Sequence, residues 1–343
     1  MPRGNLFYVS HDRSCVVSMD SAELLYLSRA DVQRLDVPIT EVIHIVEKAF
    51  LEKAGGRVEV PPKPGVHPQK NAFIHAMPAY IPEMRSAGVK WVSGFPDNPR
   101  RGLPYISGVI VLNDVETGRP VCVMDGTWVT AKRTGAATAV AAKYLAREDA
   151  KVLGIVACGV QGRSNLEALA VVCRELEDVR AYDISRSNLQ RYVAEMSAQH
   201  GLEVVAVASP KKAVEGCDVV VTSGPILKNP NPVIEALWFK DGGFACALDF
   251  DSYWRPAAMH SMDKFCTDDE DQLAYYKTQG YFGNIPHVYA DLGEIVSGKK
   301  AGREKDTERI MSMNLGLAIE DMATAALIYE KAKKTNVGIK LPL

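Results

Sequence analysis

Apolar and polar positions follow two rhythms along this chain, and the switch between them divides it. Residues 24–28 have the composition of a strand. Ser28-Arg29-Ala30-Asp31 then opens a helix with a capping-box pattern, Asp31 taking the acidic position. Residues 39–53 repeat apolar side chains at helical spacing. Val42, Ile45, Val46 and Phe50 share one face, and Gly55-Gly56 ends the run. From 58 to 123 the pattern becomes that of strands, at 73–77, 87–92, 106–113 and 121–124. Pro and Gly punctuate them, and Asp114-Val115-Glu116-Thr117-Gly118 reads as a hairpin turn. This stretch predicts an antiparallel meander.

A long alanine- and threonine-rich helix follows at 128–146. Short apolar strands then alternate with helices, at 152–157, 179–182, 204–207, 219–222, 244–248 and 264–266. Such alternation predicts an α/β fold with a doubly wound parallel sheet. Residues 272–286 read as a helix and loop. In the last helix, 315–332, apolar residues run round much of the circumference, so it is expected to be buried and to pack back between the two halves. Residues 1–22 are polar and read as an extension.

Within the parallel region, residues 151–183 carry the most information. The apolar run at 152–157 breaks into Cys158-Gly159-Val160-Gln161-Gly162, a helical pattern spans 164–176, and a second strand at 179–182 ends in Asp183. Strand, glycine turn, helix, strand and acid make up the dinucleotide-binding βαβ unit. Its turn directs backbone N–H groups and the positive helix end at a pyrophosphate. Gly159 stands where backbone approaches phosphate, and Gly162 where helix packs on strand. Ala157 replaces the first glycine of the fingerprint with the least added bulk. Asp183 lies where a carboxylate accepts ribose hydroxyls, which favours NAD over NADP. Arg186, three residues on, is the candidate partner for a 2′-phosphate, or else a solvated turn residue.

With 343 residues, 47% of them hydrophobic and 24% charged, the chain has the make-up of a globular protein large enough for two domains. A net charge of −2 suggests no nucleic-acid or membrane partner. The seven cysteines are scattered and never in C-x-x-C spacing, and the seven histidines lack H-x-H and H-x-x-x-H spacing. No disulfide framework or metal site is expected, and the default compartment is the cytoplasm.

Three further clusters carry candidate chemistry. Lys90 interrupts the strand Val89-Lys90-Trp91-Val92, as a snorkelling edge residue or as a cation lining a pocket. Arg133, among small residues in Lys132-Arg133-Thr134-Gly135, reads as a solvated helix face or as a fork for a carboxylate. Asp249 and Asp251 follow a strand of the parallel sheet, at the edge where such sheets bind ligands. There, one serves as a proton-carrying acid near a nicotinamide and the other as a helix cap.

The chain resembles the ornithine cyclodeaminase/mu-crystallin family from 24 to about 338. The resemblance is carried by VPPKP (60–64) with MPAY (77–80), KWVSGFPDNP (90–99), SGVIVLNDVETGRP (107–120), AKRTGAATAVAAKYLA (131–146), ACGVQGR (157–163) and LGLAIEDMATA (315–325), in this order. It implies an N-terminal α+β half-barrel domain for substrate and dimerisation, from 23–127 and 312–343, and an NAD(P)-binding Rossmann domain at 128–311. It places Lys90 and Arg133 at the substrate carboxylate, Lys63 and Met77 beside them, and the catalytic acid at Asp251, with Asp249 close to the substrate. It places Thr134, Gly159, Val160, Gln161, Gly162, Asp183, Thr222 and Ser223 at the cofactor. Lys63 stands where the family often has arginine, which shifts the expectation away from ornithine itself.

The activity implied is hydride abstraction from the Cα of an amino acid. In a cyclodeaminase the resulting imine is closed by the substrate's own distal amine, ammonia leaves and the hydride returns. In an amino-acid dehydrogenase or ketimine/pyrroline-2-carboxylate reductase the transfer is net. A small-ligand NADPH-binding protein of mu-crystallin type is the reading from another class. The partners implied are a small amino or imino acid and a second copy of the chain, as a homodimer.

Overall fold

The computed structural model describes residues 23–343, and the extension expected at 1–22 lies outside the described residues. Two sheets organise the chain. The first holds β1 (Glu23–Leu27), β2 (Gly65–Val66), β3 (Phe73–Ile81), β4 (Ser86–Gly94), β5 (Ile106–Asn113) and β6 (Pro120–Asp125). The second holds β7 (Val152–Val156), β8 (Asp178–Tyr182), β9 (Glu203–Ala206), β10 (Val219–Thr222), β11 (Phe244–Ala247), β12 (Lys264–Thr267), β13 (Ala290–Asp291) and β14 (Ile310–Met313). The last strand, β15 (Ile339–Pro342), returns to the first sheet and pairs antiparallel with β1. Helices α1 (Arg29–Arg34), α2 (Ile39–Ala54) and α3 (Gly126–Leu145) precede the second sheet. Helices α4 (Val160–Val172), α5 (Arg186–His200), α6 (Pro210–Val214), α7 (Pro256–Met259), α8 (Glu270–Thr278) and α9 (Leu292–Val296) connect its strands, and α10 (Ala318–Thr335) follows it.

The first sheet runs β15-β1-β6-β5-β4-β3-β2, and β2 to β6 form the expected antiparallel meander. Asp114 makes the β5–β6 turn, its Oδ1 accepting from the backbone N–H groups of Glu116 and Thr117. The capping box of α1 is also present: Ser28 Oγ accepts from Asp31 N, and Asp31 Oδ2 from Ser28 N. Lys90 does not lie on an edge strand. It sits mid-way along β4, opposite Met77 of β3 and Ile110 of β5, and is fully buried.

The second sheet is parallel throughout, in the order β13-β12-β14-β11-β10-β7-β8-β9. Its central strands are apolar on both faces. Leu153, Ile155, Val219, Val221, Phe244 and Cys246 enter one core cluster, and the alternating Val156, Val220, Ala245 and Ala247 enter the other. This two-sided burial is what the near-continuous apolar runs encode. The chain runs outward from β7 through β8 to β9, then returns to β10 on the opposite side of β7. The crevice at the carboxyl ends of β7 and β10 is therefore the topological switch point where open α/β sheets take ligands.

Two boundaries differ from expectation for a local reason. Helix α4 starts at Val160 rather than 164, because Gly159 is its N-cap and the glycine turn is already its first turn. Helix α10 starts at Ala318, because residues 315–317 are held in a bend with Gly316 at φ +81°. Strand β14 straddles the division expected at 311/312. The six cysteines among the described residues are free and buried.

Helix α10 packs on α2, α3, β3, β4 and β5, and its first eight residues are all buried. Helix α3 lies against α4, where Gly135 permits the approach. A methyl group there would stand 2.3 Å from Ser164 O. Gly135→Ala is thus expected to lower stability by about 1–2 kcal/mol, the backbone clash outweighing the gain of up to ~1 kcal/mol in helix propensity. Thermal unfolding checks the sign, and a rise in Tm would contradict the packing described.

Candidate active site

A cleft of about 1450 Å³ runs along the carboxyl edge of the second sheet and reaches His75 and Met77 of β3 and Lys90 and Val92 of β4. One end is built by the glycine turn. Ala157, which follows β7, takes φ +75°, a left-handed conformation that alanine adopts at a cost. Glycine belongs to the fingerprint there for its backbone freedom as well as its size. A Cβ on Gly159 would meet nothing within 4 Å, so the turn is open towards the cleft. A Cβ on Gly162 would stand 2.7 Å from Ala157 O, so that glycine seats the helix on the turn. No side chain caps α4, and its first-turn N–H groups keep their positive field for a ligand.

Asp183 stands at the cleft and ties the turn to β8. Its Oδ2 accepts from Cys158 N at 2.9 Å and from Asn188 Nδ2 at 2.7 Å, and its Oδ1 from Ser185 N at 2.7 Å. A carboxylate has about four acceptor sites, so capacity remains for a hydroxyl. Arg163, absent from the sequence expectations, clasps the same turn. Its Nη1 donates to Cys158 O and Gly159 O while Glu195 holds the guanidinium from the other side. Ser223, after β10, donates to Ala157 O at 2.9 Å. These residues fit a dinucleotide: an open glycine, free helix N–H groups and a carboxylate beyond them.

The other end of the cleft is a buried charge cluster. Arg133 projects from α3, and its Nη1 donates to Glu320 Oε2 at 2.6 Å. Its Nε lies 3.1 Å from Asp321 Oδ1, an ion-pair distance outside hydrogen-bond alignment. Lys90 Nζ donates to Asp321 Oδ1 at 2.7 Å. Lys63 Nζ donates to Leu315 O at 2.7 Å and Gly316 O at 3.1 Å, and stands 5.5 Å from the Tyr276 ring centre. A Cβ on Gly316 would come within 2.4 Å of Arg133 Nη1, so only glycine admits the guanidinium here.

Burial dominates the electrostatics. It lowers Lys90 to about 7, with Arg133 adding to the effect, and Lys63 to about 8, again with Arg133. Burial also raises Glu320 above the ordinary carboxylate range. Arg133 is raised: burial opposes its charge, but Asp321 and Glu320 more than offset that. Breaking one member out of such a buried set costs about 3–5 kcal/mol, because its partner is left uncompensated. The arrangement holds a forked cation and a lysine ready for an anion, beside an amine that exchanges protons near neutral pH.

Of the residues singled out from the sequence, Lys63, Met77, Lys90, Arg133, Thr134, Gly159, Val160, Gln161, Asp183 and Ser223 line this one cleft. Gly162, Arg186, Thr222, Asp249 and Asp251 do not. Gly162 faces the turn, and Arg186 begins α5 outside the lining. Thr222 is fully buried, donating to Asp249 Oδ1 at 2.7 Å and accepting from Trp254 Nε1 at 3.2 Å. Asp249 also accepts from Gly224 N, and its burial pushes it up to about 7. Leu248 and Phe250 are the residues of this stretch that face the cleft, whereas Asp251 is half-buried and raised by burial. Neither Asp249 nor Asp251 is among the residues that line the cleft. Glu320, Asp321 and Asp268, the carboxylates that do surround the cations, were missed. The signal for Glu320 and Asp321 was two adjacent acids in the otherwise uncharged first half of α10.

The glycine geometry separates two substitutions. Gly162→Ala is expected to destabilise the fold by about 1–3 kcal/mol through the contact with Ala157 O. Gly159→Ala is expected to leave the melting temperature nearly unchanged, as calorimetry of the two variants would show.

The family model of the ornithine cyclodeaminase/mu-crystallin family matches residues 23–336. The chain is 36% identical over 328 residues to the alanine dehydrogenase of Archaeoglobus fulgidus, covering 93% of this chain and 98% of that protein. The Delta(1)-pyrroline-2-carboxylate reductase of Thermococcus litoralis, solved with NADH and L-proline, superposes with a TM-score of 0.84 at 36% identity, covering 93% of this chain and 100% of the other. An archaeal alanine dehydrogenase, solved as a dimer with bound NAD, gives a TM-score of 0.83 at 34% identity over 94% of this chain and 99% of its own. A match over nearly the full described length, joined to a glycine turn and a buried cation pair in one cleft, identifies this chain as a member of the ornithine cyclodeaminase/mu-crystallin family.

Proposed function

We propose that this protein is an NAD(H)-dependent oxidoreductase interconverting an α-amino acid with an uncharged side chain and the corresponding imino acid. The observation that carries the reading is the presence of Lys63, Lys90 and Arg133 in the same cleft as the open glycine turn. NAD, when bound, supplies the hydride acceptor, and NADH the donor. Gly159, Val160 and Gln161 would face the pyrophosphate, with Thr134 and Ser223 alongside. Asp183 would take the ribose and repel a 2′-phosphate, which supports NAD over NADP.

Arg133 and Lys63 anchor the substrate carboxylate. Glu320 holds the guanidinium through the bond it accepts from Nη1. Lys90 moves the proton at nitrogen: it removes one from the amine in the oxidative direction and returns one to the imine in the reductive direction. Its lowered value, about 7, suits both. Phe250, Tyr276 and Tyr281 form a wall beside this anchor, their ring centres 5.1–5.8 Å apart. That wall suits an apolar or cyclic side chain.

A cyclodeaminase needs a carboxylate for the second amine of its substrate. Asp249 has Thr222 and Gly224 as partners and lies outside the cleft, which favours net oxidation and reduction. A homodimer is supported by Trp91 and Val109. They are register partners on the outer face of the first sheet and are 50% and 42% exposed.

The deciding assay follows NADH absorbance with NAD and a panel of amino acids, and with NADH and cyclic imino acids. Lasting formation or consumption of NADH is the expected result. Ammonia release from ornithine without accumulated NADH would assign a cyclodeaminase, and bound NADH with no turnover would assign a binding protein. Lys90→Met is expected to lower kcat about 10²–10⁴-fold with NADH affinity unchanged. In the wild type, imine reduction is expected to slow as pH rises through about 7, because Lys90 must carry the proton it donates. Arg133→Lys keeps the charge and loses the fork, so KM should rise about tenfold, or ~1.4 kcal/mol, with NADH affinity unchanged. Weakened NADH binding would instead assign Arg133 to the cofactor.

A further inference from the structure

The Leu315–Leu317 bend holds both cations of the anchor, and something must hold the bend. Lys63 donates to two of its carbonyls, and Gly316 abuts the Arg133 guanidinium. The only N–H of Gly316 points away from the cleft, into Asp268 Oδ2 at 2.6 Å. Asp268 follows β12 at the carboxyl edge of the second sheet and is fully buried. Gln272 Nε2 adds a second tie, to Gly316 O at 3.2 Å. One carboxylate thus holds the Leu315–Gly316 peptide, whose carbonyl accepts from Lys63.

We propose that Asp268 is a positioning residue for the substrate carboxylate, acting through the Gly316 peptide and through its own charge on Lys63. This rests on the functional reading above and extends it to a residue that touches neither substrate nor cofactor. The groups facing Lys63 come from six places. Arg133 on α3, Lys90 on β4 and His75 on β3 bear on it from one side of the charge balance. Asp268 at the end of β12 and the pair Glu320 and Asp321 on α10 bear on it from the other. The Tyr276 ring of α8 covers it. His75 is held neutral, down to about 3, by burial and by Lys63. Arg133 opposes the Lys63 charge, and Asp268 is the first among the groups that favour it. Asp268 itself is pushed up to about 7 by burial and by Glu320. Its charge therefore acts on Lys63 mainly above pH 7, while its acceptor oxygen serves the bend at every pH.

Asp268→Asn keeps the shape and an acceptor oxygen but removes the charge. Expected at pH 8 is a KM for the amino or imino acid raised about tenfold, with kcat and NADH affinity within about twofold of wild type. At pH 6, where the wild-type carboxyl is protonated, the two KM values should converge. In a Lys63→Met background, Asp268→Asn should add little to KM, because the path runs through Lys63. Equal KM at both pH values, a loss in kcat rather than KM, or full additivity with Lys63→Met would each overturn the proposal. Should Asp268→Asn not fold, Asp268→Glu tests the same point. It is expected to raise KM by displacing the bend while keeping the pH at which KM climbs, and an unaltered KM would overturn the proposal. Wild-type protein that turns over no amino or imino acid refutes the functional reading; active wild type with an indifferent Asp268 refutes only this inference.

Discussion

The bend between β14 and α10 is the constraint on which the rest of the site depends. It brings a glycine with a left-handed backbone against Arg133 and turns two carbonyl oxygens towards Lys63. It also starts the helix that carries Glu320 and Asp321 into the core. Three cations and three carboxylates are buried within this one region. Ions so deeply buried are tolerable only when paired or hydrogen-bonded: Arg133 of α3 and Lys90 of β4 pair with Glu320 and Asp321 of α10, while Lys63 and Asp268 bond the backbone of the bend. Any shift of the bend unbalances the whole set.

This arrangement explains how one cleft serves two chemically different ends. The glycine turn works with backbone N–H groups and a helix field, which need no side chain and so leave room for phosphate. The anchor works with side-chain charge held in a low-dielectric interior, where burial drives Lys90 and Lys63 down towards neutrality. The two ends are set by the two sheets, and α3 joins them: it carries Arg133 and Thr134 while packing on α4 through Gly135. A reacting centre between them is reached from both.

Much of the fold was legible in the amino-acid pattern. The meander, the parallel run, the α1 capping box and the Asp114 turn each follow from local chemistry, because Ser, Asp, Gly and β-branched residues act on backbone within a few positions. The glycine turn was legible because it depends on such local geometry, with Gly159 as the N-cap of α4. The pattern leaves open which way a side chain faces. Asp249 and Asp251 follow a strand on which successive residues alternate, and the cleft took Leu248 and Phe250. For Lys90 the pattern left two readings, a solvated edge residue or a cation lining a pocket, and the burial that decides between them comes from Asp321, which arrives from a distant part of the chain.

The sequence by itself determined the two sheets, the glycine turn and the presence of Lys63, Lys90 and Arg133, since propensity, period and glycine placement are properties of short segments. Only the tertiary structure decided which carboxylates face those cations. Glu320, Asp321 and Asp268 lie well over 100 residues from Arg133 in the chain, and the low dielectric that gives their charges effect exists only after the sheets and α10 have closed around them.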